Sequence, residues 1–246
     1  ISLVDIKDYM KGNFSLFNLT LKNYAYAFGA KDFQVPRWFF NSFVMVGGIL
    51  IGNLFCDTLA AYAIARIKFP GRTFVFFFMI GMMMIPWQIC IIPTYIMLAK
   101  LEWLNSFNGL VLPFLFQGLL MFLLKQFFET IPVEIEEAAK IDGLTRAGIF
   151  FRIILPISKT GLAAMALLSV TGTWNSYAWP SIIAKDIDMF VLSTGVIYIN
   201  KSLSMYYTLP TITMTGVVLM TLPIAIMFIF FQKYFIQGIA ATGIKG

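Results

Sequence analysis

Histidine is absent from the 246 residues. That excludes His-ligated zinc, Ser-His and Cys-His catalysis and a histidine proton relay. Cysteine is scarce. Cys56 and Cys90 both lie inside apolar runs, where a free thiol behaves as a small hydrophobe, so no disulfide framework is expected. Charged residues make up only 12% of the chain, against about 25% in an ordinary soluble domain. The formal charge is +6, but the basic residues stand singly among apolar runs. Without a Lys/Arg cluster, a surface that tracks nucleic-acid phosphates is not expected. No Gly-x4-Gly-Lys-Ser/Thr stretch occurs, which argues against ATP hydrolysis by this chain. The chain opens Ile1-Ser2-Leu3 with neither an initiator Met nor a signal-peptide pattern, and a segment preceding Ile1 is expected.

What is there is apolar: 59% of residues are hydrophobic, mean hydropathy is +0.82, and Phe alone supplies 26. A soluble fold of this length could not hide so much apolar surface, whereas lipid does not require it hidden. Five runs are long enough, at 1.5 Å per residue, to cross a core of about 30 Å. They cover about Trp38–Ala65, Thr73–Leu98, Phe107–Leu124, Gly161–Pro180 and Thr208–Phe231. The fold class is therefore all-α, a polytopic transmembrane helix bundle. Residues 1–37 are mixed polar and aromatic and read as an extramembrane segment with a short amphipathic helix around Leu19–Phe28. Residues 38–246 form the membrane domain.

Residues 125–160 differ from their neighbours, holding five of the twelve acidic residues. Pro132 suits a first helical position, and Glu134, Glu136 and Glu137 sit where acids favour a helix N-terminus. Gly143 is placed to end that helix. Thr145 can cap a second one running to the Leu155-Pro156 break. Orientation follows from counting Lys and Arg by side. Loops 66–72 and 125–160 and the C-terminal tail hold ten, and the loops 99–106 and 181–207 hold three. The 125–160 segment and the tail are thus expected on the cytoplasmic side, with residues 1–37 outside. The five basic residues of that N-terminal stretch fit poorly unless a further span precedes it.

The most informative string is Glu137-Ala138-Ala139, three residues, Gly143, nine residues, Ile153, one residue, Leu155-Pro156. A helix that docks into a cleft on a soluble partner needs small residues for close approach, here Ala138 and Ala139. It needs polar groups to orient it, from Glu136, Glu137 and Asp142, and a tight turn at Gly143. The plainer reading of Glu-Glu-Ala-Ala-Lys is good helix with Glu136 and Lys140 paired at i, i+4. The whole spaced string resembles the EAA loop of binding-protein-dependent ABC transporter permeases. Ala60-Ala61-Tyr62-Ala63-Ile64-Ala65-Arg66 with Phe69-Pro70-Gly71-Arg72 resembles the carbohydrate-uptake branch of that family. Ile92-Pro93-Thr94-Tyr95, Ile141-Asp142-Gly143, Trp174-Asn175, Trp179-Pro180 and the tail Gly238 to Gly246 do so too. Within that branch the chain looks most like the smaller permease subunit of maltose-type importers.

The resemblance implies six spans in the full chain, a coupling helix seated on an ATPase, and a multi-pass location in the bacterial cytoplasmic (inner) membrane. The implied partners are a second homologous permease, two ATPase subunits and an external substrate-binding protein, with a sugar as solute. ATP and Mg would be bound by partner subunits and no cofactor by this chain. The family tail reaches between the ATPases, which carries over to Gly243, Lys245 and Gly246. Ser176 stands where the family often has an acid, so a charged substrate contact there is not carried over.

Within the spans, Gly48-Ile49-Leu50-Ile51-Gly52 is a small-xxx-small face suited to close helix packing. Pro86 and Pro93 are expected to break the second span and free backbone carbonyls. Trp87 and Gln88 are then candidates to line a substrate path, with ordinary packing as the alternative. Trp174, Asn175, Tyr177 and Trp179 read either as an interfacial aromatic belt or as aromatic and amide groups along that path. Asp57 is the one acid embedded in a span, a functional suspect by default, although a structural partner for a neighbouring helix is the favoured reading. The rivals to an ABC sugar permease are an ABC permease for a non-sugar solute and an ion-coupled secondary carrier. The latter would need buried carboxylates beyond Asp57. A membrane-embedded enzyme lacks an acid-base constellation.

Overall fold

A computed structural model of the chain describes residues 1–12, 19–29, 33–204 and 210–243. Helix dominates throughout, and a single isolated bridge between Val4 and Leu19 is the β pairing found among the described residues. Two short helices, α1 (Ile6–Met10) and α2 (Lys22–Gly29), precede α3 (Val35–Arg66). At 1.5 Å per residue α3 is about 48 Å long, more than the hydrocarbon core requires. It is followed by α4 (Arg72–Met83) and α5 (Trp87–Lys100). Next come α6 (Phe107–Val111), a 3-10 turn at Leu112–Phe114, and α7 (Gly118–Thr130). The polar segment holds α8 (Val133–Ile141) and α9 (Arg146–Ile149). A π turn at Phe150–Ile154 leads into α10 (Leu155–Ile157). The remainder is α11 (Lys159–Trp174), α12 (Ala178–Ile183), α13 (Leu192–Ser204) and α14 (Pro210–Gly243).

Among the described residues two single helices, α3 and the Pro210–Phe231 part of α14, are long and apolar enough to cross a membrane, and the number rises to as many as five if each of three bent pairs is one span. The first, second, third and fifth expected runs correspond. The fourth, expected over Gly161–Pro180, falls on Arg146–Ile157 with Lys159–Trp174 and stops at Trp174, Pro180 lying in the separate α12. Counting each bent pair as one span, three of the five are not straight. The second is two helices meeting at 95°, a broken span or a re-entrant loop. Pro86 explains the break, since it lacks an N–H and disfavours α backbone at the residue before it. Pro93 corrects expectation. It sits inside α5 without interrupting it, because one forfeited hydrogen bond costs less in lipid than the several a break would expose. The third run bends 41° at the 3-10 turn and extends to Thr130, beyond the expected Leu124. Lys125 lets the helix continue by pairing with Glu129 at 2.8 Å while its ammonium lies 4.3 Å from the Phe76 ring centre. Its alkyl stem is buried as in other snorkelling lysines.

The expected stop at Leu155-Pro156 falls later, at Ser158, where the chain bends 77° into α11. The proline ring would clash with the carbonyl four residues back in a regular α-helix, and the wider π turn just before it relieves that clash.

The chain divides into two compact units. The first comprises residues 1–46, 97–110 and 173–229. Its core is built around Trp38, which is fully buried, packs edge-on against Tyr198 and donates to Ile187 O at 2.9 Å. Gly195 lies so close that a Cβ there would overlap the Trp38 ring. Asn41 donates to Asp188 O and Phe190 O, both at 2.8 Å, and Ser42 Oγ accepts from Leu192 N. Asn105, in left-handed backbone, gathers the 183–186 segment by accepting from Lys185 N and Asp186 N and donating to Asp186 Oδ2.

The second unit comprises residues 47–96, 111–172 and 230–246. Its core joins α3, α7, α8 and the 149–165 stretch through Tyr62, Leu124, Phe128, Ala139, Phe150 and Met165. Gly48 and Gly52 abut Val111 and Leu115, so the small-residue face serves close packing within the unit. A polar network is buried beside it. Asn53 donates to Phe114 O and accepts from Ser169 Oγ at 2.7 Å and Gln117 Nε2 at 3.2 Å. Asp57 Oδ1 accepts from Gln117 N at 2.9 Å. Gln117 caps α7, so the one embedded acid sits on the positive end of a helix. The structural reading of Asp57 accounts for its position.

Candidate functional site

The polar segment is organised around α8. Pro132 is its N-cap, one position earlier than expected, and Glu134 and Glu136 fall in the first turn, where the unpaired amides favour negative charge. At the other end Leu144 N donates to Ala139 O and Gly143 N to Lys140 O, both at 3.0 Å. That is the Schellman pattern, and it requires the φ of +83° that Gly143 adopts. Nothing lies within 4 Å of where a Gly143 Cβ would stand, so conformation and not crowding selects glycine here. Thr145 Oγ1 accepts from Gly148 N at 3.2 Å and caps α9, as the sequence predicts.

The two faces of α8 differ sharply. Ala139 is buried in the core, with Ile135 packed against it. Glu136 is buried too and faces Arg66, with Nε to Oε1 at 3.2 Å and less than a tenth of either side chain exposed. Tyr62 OH donates to Glu136 Oε2 across a longer 3.4 Å. Arg66 also donates to Phe128 O and Ile131 O, carbonyls at the C-terminal end of α7. A single guanidinium therefore ties the ends of α3 and α7 to α8. Opposite, Glu137, Ala138 and Asp142 are exposed, and Ile141 is 87% exposed.

Glu136 thus departs from both readings of the sequence. It does not pair with Lys140 along the helix, and it is not on the open surface with Glu137 and Asp142. The reason is that the end of α3 supplies a cation that reaches it in the interior, where an ion is stable only if paired. Sequence reasoning missed Tyr62 and Arg66 as members of this site. Their i, i+4 spacing at the end of a span, with a lone Arg among Ala and Ile, was the available signal.

The other candidates are placed as follows. Trp87 and Gln88 open α5 and are both exposed. Trp174 is 5% exposed, packs against Phe39 and Phe43, and donates to Met220 O at 2.9 Å. Its indole is occupied by packing, while Asn175 beside it is exposed. Trp87 and Gln88 belong to the second unit, Trp174 and Asn175 to the first. Trp179 is buried and donates to Gly109 O at 3.0 Å. Gly243 ends α14, whereas Lys245 and Gly246 lie outside the described residues. Among the described residues no group of His, Cys, Asp or Glu could hold a metal ion.

The family described as binding-protein-dependent transport system inner membrane component matches residues 48–241. The arabinooligosaccharides transport system permease protein AraQ of Halalkalibacterium halodurans is 36% identical, over 93% of this chain and 80% of the relative. The sn-glycerol-3-phosphate transport system permease protein UgpE of Yersinia enterocolitica is also 36% identical, over 81% of this chain and 71% of the relative. Among solved structures, a chain of a bacterial ABC transporter involved in the import of the acidic polysaccharide alginate has the same fold. Its TM-score is 0.83 at 20% identity, covering 95% of this chain and 87% of that one.

Proposed function

We propose, from the premise that the chain belongs to the family of binding-protein-dependent transport system inner membrane components, that it is a permease subunit of an ATP-driven bacterial importer for a saccharide. It forms half of the translocation path, in the cytoplasmic membrane, with a second homologous permease. Two ATPase subunits and an external binding protein complete the complex. ATP and Mg belong to the ATPases, and this chain contributes no catalytic residue.

The observation that carries this reading is the two-faced α8. A helix whose outer side offers Ile141, Ala138, Glu137 and Asp142, and whose inner side is locked by Arg66 and Glu136, has the form of a lever seat. A soluble ATPase that grips the outer side can move the bundle only if the helix is rigidly tied to the spans. Closure of the ATPase pair would then rock α3 and α7 and open the path outward. Gly243, Lys245 and Gly246 of the tail are proposed to contact the same ATPases. Trp87 and Gln88 in the second unit and Asn175 in the first are each proposed as substrate-path residues, whereas Trp174 is packed against Phe39 and Phe43.

The relatives name two kinds of solute, arabinooligosaccharides and sn-glycerol-3-phosphate. The second gives a concrete alternative, a permease for a phosphorylated polyol. Purification through this chain should bring down an ATPase whose activity rises with loaded binding protein. Uptake by cells carrying the complex should be competed by an arabinooligosaccharide. Competition by glycerol phosphate alone would move the assignment to the alternative, and absence of any associated ATPase would remove the importer reading.

A further inference from the structure

Beside the Arg66–Glu136 pair lies a cleft of about 420 Å³ contained wholly within the second unit. Its walls carry Lys68 and Arg72 from the α3–α4 connection, Lys140 from α8 and Arg146 from α9. Arg66 and Glu136 also line it but are set against each other. The remaining acid is Glu137, and among the described residues no carboxylate lies within ion-pair distance of any of those four cations. Four like charges converging on one cavity repel each other, and a bound anion relieves that repulsion. The cleft lies at the C-terminal end of α3, a helix long and apolar enough to cross a bilayer, and beside the start of α4. From Arg72 the chain enters α4, whose Phe74, Phe77 and Phe78 are all more than half exposed, with Phe74 and Phe78 stacked.

The geometry points to a binding site for the phosphodiester headgroup of an anionic phospholipid, held by Lys68, Arg72, Lys140 and Arg146, with the acyl chains lying along the Phe74–Phe78 face of α4. Arginine suits this task because its planar donors match phosphate oxygens in pairs, and lysine adds charge without a fixed direction. Basic pockets at the inner ends of spans are recurrent lipid sites. A neutral headgroup would leave the cationic surplus uncompensated. The site goes beyond the importer reading and does not depend on it, since it requires only that α3 and α4 be in a bilayer.

The test uses the full-length permease, delipidated in detergent and titrated with phosphatidylglycerol or phosphatidylcholine, with bound lipid counted by native mass spectrometry. The wild-type protein should retain phosphatidylglycerol in preference to phosphatidylcholine. The double substitution Lys68→Gln and Arg72→Gln should weaken that retention roughly 10–30-fold, from about 1 kcal/mol per basic residue near a membrane surface. Lys100→Gln, outside the cleft, should not change it, and matching elution and thermal unfolding would establish that the double variant is folded. Equal retention by wild type and double variant overturns the site. Displacement of the lipid by millimolar inorganic phosphate would show that the cleft takes free phosphate and would overturn the lipid assignment. Should the double variant keep its lipid but lose an ATPase that the wild type captures, the cleft is a protein contact and the proposal fails.

Discussion

The two ends of α3 hold their surroundings by different means. Near its N-terminus Arg37, Trp38, Asn41 and Ser42 bind backbone groups of residues 187–192 through five hydrogen bonds. At its C-terminus the work falls on Arg66, which meets one carboxylate and two carbonyls, with Tyr62 in support. Each bond at the first end is worth about 0.5–1.5 kcal/mol net, and losing one leaves the others. At the second end a single substitution strips every partner at once and leaves a buried charge. The first arrangement fixes a loop. The second adds to the core packing of Ala139 and Ile135 one buried ion pair, so that a single side chain carries the polar hold on α8.

The sharpest way to break that contrast is Arg66→Met. Glu136 would be left charged and unpaired in the interior, and the change should destabilise the second unit by about 3–5 kcal/mol. Thermal unfolding of the purified permease would register it, together with faster labelling of a cysteine introduced at Ala139. Adding Glu136→Leu to the same chain should recover most of the stability, because a buried pair replaced whole by apolar groups is close to neutral. The recovered protein should still lack substrate-stimulated ATP hydrolysis. If the double variant stayed as unstable as the single one, Arg66 would be acting on the α7 carbonyls and not through Glu136.

A smaller effect is expected at the opposite end. Asn41→Leu removes the donor from Asp188 O and Phe190 O and should cost about 1–3 kcal/mol. Its signature should be local: faster labelling of a cysteine at Lys185, with Ala139 as protected as in the wild type. Were both sites to open together, the two ends of α3 would be one cooperative element and the contrast would dissolve.

The sequence anticipates some of this and not the rest, for identifiable reasons. Spans are legible because lipid demands long apolar runs. Their bends are less so, since Pro86 breaks a helix and Pro93 does not, and the difference lies in what each would expose. The turn at Gly143 and the cap at Thr145 are legible because both are local. Burial within the spans is not. A lipid-facing surface is as apolar as the interior, so Phe74 is open and Leu98 buried with nothing in residue type to separate them. Which of Glu134, Glu136 and Glu137 turns inward is set by an arginine 70 residues away, and no local pattern records it. Trp174 misleads for a similar reason, because an indole at a span end suits a wet path and a packed core equally well.

The smallest expected effect concerns Gly143, and it tests whether the outer face of α8 is a working surface and not only a stable one. Because φ is +83° and no atom stands near a would-be Cβ, a side chain meets backbone strain but no clash. The left-handed conformation costs an ordinary residue about 1–2 kcal/mol, and Asn less, since its short amide tolerates that region. Stability should therefore fall in the order Gly, Asn, Leu, with the whole range inside about 2 kcal/mol, well below the loss expected for Arg66→Met. Coupling should follow a different order if a partner seats here. Leu at 143 would project beside Ile141 and Asp142 into the space the ATPase occupies, abolishing substrate-stimulated hydrolysis although the permease remains folded and inserted. Gly143→Asn should retain part of that activity. Parallel losses of stability and coupling across the three residues would mean that strain alone explains the phenotype. Full coupling in a folded Gly143→Leu complex would mean that no ATPase sits on this end of α8.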